Sequence, residues 1–330
     1  MDRLPFKMTR LMMAETAFWG QEQFSFKMAE KILQGHYHAK ITDCQIRKIT
    51  CFIGKRVFDA DLQRAKAVYE NRADMPRRGD KRGVLYIAAD DNTINIRKTG
   101  SSGTASGRIS LGIVFNSGSL IVRKNEVVYN ISEKEYVAVI ADLPVFKQLF
   151  FECAVRNGYG RYEQTVVLSN GADWVRAVCD ELFPDAVQIL EFYHLEENLR
   201  AFNRYLRQTG GRNFRPDEIL SLLKNSRSEE ALGKLKRYEQ IPAPPGIINP
   251  YTHVYNNRGR IDYALYRSKG YYTGNGPIEH ENKIALQKRC MQARSKWDKT
   301  NAQYILTLRA KEESKLWDRF VRDLILYDKG

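Results

Sequence analysis

No apolar run in this chain approaches the roughly 18 residues that a membrane-spanning helix needs. The opening residues, MDRLPFKMTR, have no apolar signal-peptide core, so the expected location is the cytoplasm. Cysteine is scarce. Cys44, Cys51, Cys153, Cys179 and Cys290 are scattered, odd in number and never spaced C-x-x-C, which leaves neither a disulfide framework nor a cysteine zinc site to expect. There is no internal repeat and no biased tract long enough to stay unfolded. The 330 residues are 43% apolar and 28% charged, enough to bury at least one full-sized core, and the length suggests two or three domains.

Acidic residues are also in short supply, 39 against 53 Lys and Arg, which gives a net charge of +14. The imbalance is uneven. Residues 1–82 hold 17 basic and 10 acidic side chains, residues 83–194 hold 10 and 13, and residues 195–330 hold 26 and 16. An acidic centre between basic flanks suits a metal-dependent enzyme that works on a polyanion, with carboxylates for cations and Lys/Arg for phosphates. A solvated basic surface is the plainer alternative.

Residues 9–34 place apolar side chains at helical spacing up to Gly35, and Thr42 with Gln45 forms a capping box for a second helix. Helix, turn and capped helix, with Arg47 and Lys48 near the second start, suggest a helix-turn-helix that reads DNA, although paired amphipathic helices are commoner as plain structure. The basic linker RADMPRRGDKRG marks a boundary near residue 82. Period-two stretches follow: GVLYIAAD, TINIRK, RISLGIVF and LIVRKNEVVYNI read as consecutive, antiparallel strands. After them come a helix at 143–157, the strand QTVVLSN, a helix at 172–183 and the strand AVQILEF. Residues 193–240 are helical and charged, a Tyr/Arg-rich stretch follows, a helix opens after GNGP, and the tail to residue 328 reads as a long amphipathic helix.

A three-strand antiparallel meander followed by βαβ units is the strand order of the ribonuclease H-like fold. The expected class is therefore α/β, a mixed-sheet core with a helix-turn-helix-like region before it and a helical insertion ahead of the last catalytic helix. The division is 1–82, 83–194, 195–270 and 271–330. In that fold, carboxylates on the first strand, after the fourth strand and on a later helix converge on two divalent ions, whose positive charge hard anionic oxygens must offset. The matching positions are Asp90, Asn170 and Glu279. Asp91 is also acidic, but neighbours on a strand face opposite ways, so only one of the pair can face the site.

Four stretches carry a family resemblance: LYIAADD, LSNGADWV with LFPDAVQILEFYHLEENL, GNGPIEHENK, and QKRCMQARSKWDKTNAQYILTLRAKEESKLWDRF. In that order they resemble the bacterial insertion-sequence transposases of the DDE type related to the mutator-like superfamily. The resemblance implies cleavage and joining of DNA strands by in-line attack at phosphorus, two Mg²⁺ or Mn²⁺ ions, and double-stranded DNA (transposon ends and target) as partner. It also implies a homo-oligomer on DNA, a place in the bacterial nucleoid, and no membrane association.

Three departures qualify this. Asn170-Gly171-Ala172 stands where the family has Asp-Gly-Ala, and Glu191-Phe192-Tyr193-His194 stands where it has Asp-x-x-His. An amide oxygen can coordinate Mg²⁺ but brings no charge, whereas Glu191 keeps the charge and adds a methylene. The chain also has fewer residues than the family usually carries before its helical region, as in a truncated or decayed copy. The site expected from the resemblance is Asp90, Asn170, Glu191 and Glu279 on metal, with His194 orienting a ligand or the strand. Arg289, Lys296 and Arg309 are candidate phosphate contacts. The leading expectation is a DNA transposase. The alternative is a catalytically impaired, transposase-derived DNA-binding protein.

Overall fold

The computed structural model describes residues 5–72, 75, 78–98, 103–122, 128–211, 213–274, 289 and 296–327. Alternating apolar residues build β1 (Lys81–Arg97), which is one strand rather than the two expected. Its polar centre, Asp90-Asp91-Asn92, does not break it because β2 (Thr104–Asn116) pairs antiparallel without interruption from Leu85↔Asn116 to Arg97↔Thr104. The backbone of the polar triplet is therefore held in the ladder on its β2 side, and the side chains alternate outward.

The short strands β3 (Leu120–Val122) and β4 (Val128–Ile131) form a hairpin apart from the main sheet. The third strand of the meander is β5 (Glu135–Ile140), antiparallel to β2, and not the expected LIVRKNEVVYNI. The sequence explains the preference. EYVAVI is apolar on both faces, and Tyr136, Ala138, Val139 and Ile140 are all buried. LIVRKNEVVYNI has Arg123, Lys124 and Glu126 at its middle. On the other side of β1 lie β6 (Tyr162–Ser169) and β7 (Val187–Leu190), both parallel to it, giving the order β5-β2-β1-β6-β7.

The two faces of the sheet support separate cores. Leu85, Ile87 and Ala89 pack with α4 (Leu143–Arg156), α5 (Asp173–Leu182) and Ala65 of α3 (Asp43–Glu70). Tyr86, Ala88 and Ile94 face a helical layer: α6 (Phe192–Gln208), α7 (Pro216–Lys224), α8 (Ser228–Leu235), α9 (Pro250–Asn256) and α10 (Tyr263–Ser268). Tyr238, Tyr263, Tyr266 and Tyr272 are buried in this layer, so they serve packing rather than open stacking.

The expected N-terminal helix is two, α1 (Arg10–Glu22) and α2 (Phe26–Tyr37), split where Ser25 caps α2 by accepting from the Met28 amide. The capping box at Thr42 is present, and α3 then runs for 28 residues. It packs along α4 and along α11 (Lys299–Glu313), so the N-terminal helices lie against the core and not apart from it. The C-terminal tail is not one amphipathic helix. Lys315 takes a left-handed φ of 56° that ends α11, and the chain resumes as a π turn and α12 (Asp323–Tyr327). No helix among the described residues is long and apolar enough to cross a membrane.

α11 is buried on nearly every side, from Ala302 through Lys311. Arg309 is fully buried, and its guanidinium bonds Glu22 and Gln21 of α1 and Glu313 one turn along. Removing that cation would leave the buried Gln21 oxygen and two partly exposed carboxylates without their donor. The variant Arg309→Met is expected to lose about 3 kcal/mol of stability, read as a lower urea midpoint at unchanged m-value.

Candidate functional site at the ends of the central strands

β6 stops pairing with β1 at Ala89↔Ser169, so the next residues, Asp90 and Asn170, lie side by side where the parallel ladder ends. Both project to the helical-layer face, as the period of two requires from Ala88 and Leu168. Asn170 Nδ2 donates to Asp90 Oδ1 at 2.9 Å, and Asn170 Oδ1 accepts from the Ala172 amide at 2.9 Å. Because a backbone N–H can only donate, the second bond fixes which end of the amide is oxygen. Gly171 turns the chain with φ 85°, and a Cβ there would sit 2.7 Å from His253 Cε1. The Asn-Gly pair leads into helix α5 rather than a hairpin.

Glu191 follows β7, tied in by its amide to the Ser169 carbonyl at 2.9 Å. It stands at the N-cap of α6 without a capping bond, 8% exposed, and its Oε2 is 3.2 Å from His194 Nε2. Tyr263 holds the same corner by donating to the Leu190 carbonyl at 2.8 Å. Gly274, with φ 80°, passes so close that a Cβ would lie 2.9 Å from Glu191 Cγ. Glu279 lies outside the described residues.

Burial pushes the Asp90 carboxyl above the usual aspartate range; His194 pulls it back and Glu191 pushes it further up. Asp90, Glu191 and His194 thus feel one another at the sheet edge, with Asn170 between the strands. His253 is nearby and 5% exposed, with Nε2 3.4 Å from Asn198 Nδ2; burial, then His194, lowers its pKa to about 4. Sequence reasoning misses it, since a lone histidine in a tyrosine-rich stretch has no spacing that ties it to Gly171.

The ligand set expected for a pair of Mg²⁺ or Mn²⁺ ions is only partly among the described residues, since Glu279 lies outside them. Among them, no group of three His, Cys, Asp or Glu side chains is placed to hold a metal. Asn170 was expected as a ligand, yet its oxygen is committed to a backbone N–H and its nitrogen points at Asp90. A cation between the strands would meet an N–H donor where it needs an anionic oxygen.

The expected DNA contacts divide by exposure. Arg47 and Lys48 are exposed on α3, and Lys296 is exposed before α11. Arg289 is instead 4% exposed, donating to the Gly20 and Phe24 carbonyls and lying over the Phe26 and Trp297 rings. Arg289 and Arg309 are therefore structural side chains in this fold and do not face a phosphate. α11 is covered by α3, β5 and α1.

No known family profile matches the chain, and no curated protein matches it. Among solved structures it is similar to the Drosophila P element transposase strand transfer complex, at 11% identity over 77% of this chain and 73% of that one, with a TM-score of 0.24. A superposition of that quality carries no argument about activity.

In the unfolded chain His253 takes up a proton near pH 6.5, but in the folded protein only near 4. Its contribution is complete above pH 6.5 and declines as pH falls through that window, by on the order of 3 kcal/mol. Urea titrations at pH 7 and pH 4 should show a smaller loss for His253→Gln than for the parent; equal losses would remove His253 as a cause.

Proposed function

We propose that this is a DNA-binding protein built on a ribonuclease H-like core of the DDE transposase type, in which Asn170 has disarmed the metal centre. The core reading is supported by the strand order third-second-first-fourth-fifth with the second strand reversed, and by Asp90 on the first strand beside Asn170 after the fourth. DNA as the partner is supported by the net charge of +14, concentrated outside the acidic centre.

One observation carries the disarmed reading: the Asn170 amide donates to Asp90 at 2.9 Å. With aspartate at position 170, two carboxylates would lie at that separation, a repulsion that a divalent cation relieves. With asparagine the pair satisfies itself, so the site is complete without metal and offers little affinity for one. Metal-dependent strand cleavage and transfer is a second reading, favoured by Glu191, whose buried carboxylate acts on Asp90 electrostatically. It would require Asp90, Glu191 and Glu279 to hold Mg²⁺ or Mn²⁺ without help from Asn170.

Purified protein should shift duplex DNA in a salt-dependent manner without nicking it in Mg²⁺ or Mn²⁺, and neither ion should raise its melting temperature. Asn170→Asp should melt lower than the parent in EDTA and recover with Mn²⁺. Nicking by the parent that vanishes in both Asp90→Asn and Glu279→Gln would overturn the disarmed reading in favour of the enzyme, and absence of any DNA binding at low salt would overturn both.

A further inference from the structure

A basic concavity lies away from the strand ends, between the last turn of α6, the loop that follows it, and helices α7 and α8. It is an open groove of about 670 Å³. Arg207, Arg215, Lys234 and Arg237 line it, all exposed, against the single carboxylate of Glu218. Glu218 bonds Lys234 at 2.7 Å, and its pKa is lowered chiefly by that lysine, with Arg215 and Arg237 adding to the pull. The neighbouring Asp217 is engaged elsewhere, by Arg200 at 2.6 Å. Three arginines therefore face the groove with no carboxylate of their own among its lining residues.

We propose that this groove holds the phosphodiester backbone of duplex DNA, a contact that rests on the reading of the protein as DNA-binding. Arginine's planar fork suits phosphate oxygens. The floor consists of Phe214 and Ile219, 7% and 2% exposed, so no aromatic face is open to stack a base. The grip is on the backbone and independent of sequence. The loop that carries Arg215 is pinned rather than loose: the Phe214 amide donates to the buried Asn203 Oδ1 at 3.0 Å. A long polyanion is favoured over an acidic peptide because the basic excess extends through residues 195–330 rather than stopping at the groove.

α6 links this groove to the candidate site. Glu191 occupies its N-cap position and Arg207 is in its last turn. Sixteen residues of helix span ~24 Å at 1.5 Å per residue, which is roughly seven base-pair steps at 3.4 Å each. The groove is thus placed to hold DNA about two-thirds of a helical turn from the Asp90–Glu191 edge.

Two variants approach the groove by different routes. Arg215→Glu/Arg237→Glu reverses charge. Gly233→Gln fills the groove without changing charge, since a Cβ at Gly233 meets no atom within 4 Å and the residue lies on α8. Lys55→Glu/Lys66→Glu, on exposed positions of α3, is the charge-matched control. Affinity for a 30-base-pair duplex is measured by fluorescence anisotropy across a salt series, with poly-L-glutamate as the acidic-peptide probe, and folding is checked by thermal melting. The expected result is at least a tenfold loss for the charge reversal with the log–log salt slope reduced by about two, a several-fold loss for Gly233→Gln, and a smaller loss for the control. Equal losses for groove and control variants would overturn the groove, as would poly-L-glutamate binding that falls while DNA binding holds. If the parent itself fails to bind duplex DNA, the DNA-binding reading fails before the groove is in question.

Discussion

β1 is paired on both edges as far as Ala89 and on only one edge beyond it. That loss of a neighbour opens the sheet at Asp90. The parallel partner ends at Ser169, so the chain must turn away there, and the turn places Asn170 against Asp90 and Gly171 against His253. β7 ends in step with β6 through Ser169↔Leu190, which brings Glu191 to the same edge. One register therefore brings Asp90, Asn170 and Glu191 to the same edge, where Asn170 then bonds Asp90.

The interior of that edge makes charge expensive. Burial already raises the Asp90 pKa, and Glu191 raises it further. A third carboxylate without a cation would force one member of the set to stay protonated. Asparagine relieves this strain because it supplies a donor where an acid would supply a second negative charge. On the proposed reading, asparagine at this position both relieves that repulsion and forgoes an anionic metal ligand.

Much of this was legible in the sequence. The apolar runs in LYIAAD and VVLS marked two strands, and the matching endings at Asp90 and Asn170 pointed to one site. The Thr42–Gln45 box and the helix after Asp142 were readable because capping is local chemistry. The rest depended on tertiary facts. Whether Asp90-Asp91-Asn92 breaks a strand is decided by a continuous partner in β2, not by its own propensity. β5 displaced LIVRKNEVVYNI as third strand because both its faces are buried, and no window of sequence shows how many faces a strand will bury. Asn170 was legible as a residue but not in its orientation, which depends on the Ala172 amide.

The arginines illustrate the same limit from the other side. On sequence alone Arg289 and Arg309 belong with the basic tail and its phosphate-binding field. In the structure Arg309 neutralises Glu22 and Glu313 between α1 and α11, and Arg289 caps carbonyls near the end of α1 under two aromatic rings. Their charge is spent on joining the first helices to the last, across more than 260 residues of chain. The exposed basic surface then comes from other side chains, among them Arg207, Arg215 and Arg237 at the α6–α8 groove and Arg47 and Lys48 on α3. Net charge alone does not separate the cations that hold this fold together from those left on its surface; the burial of Arg289 and Arg309 does.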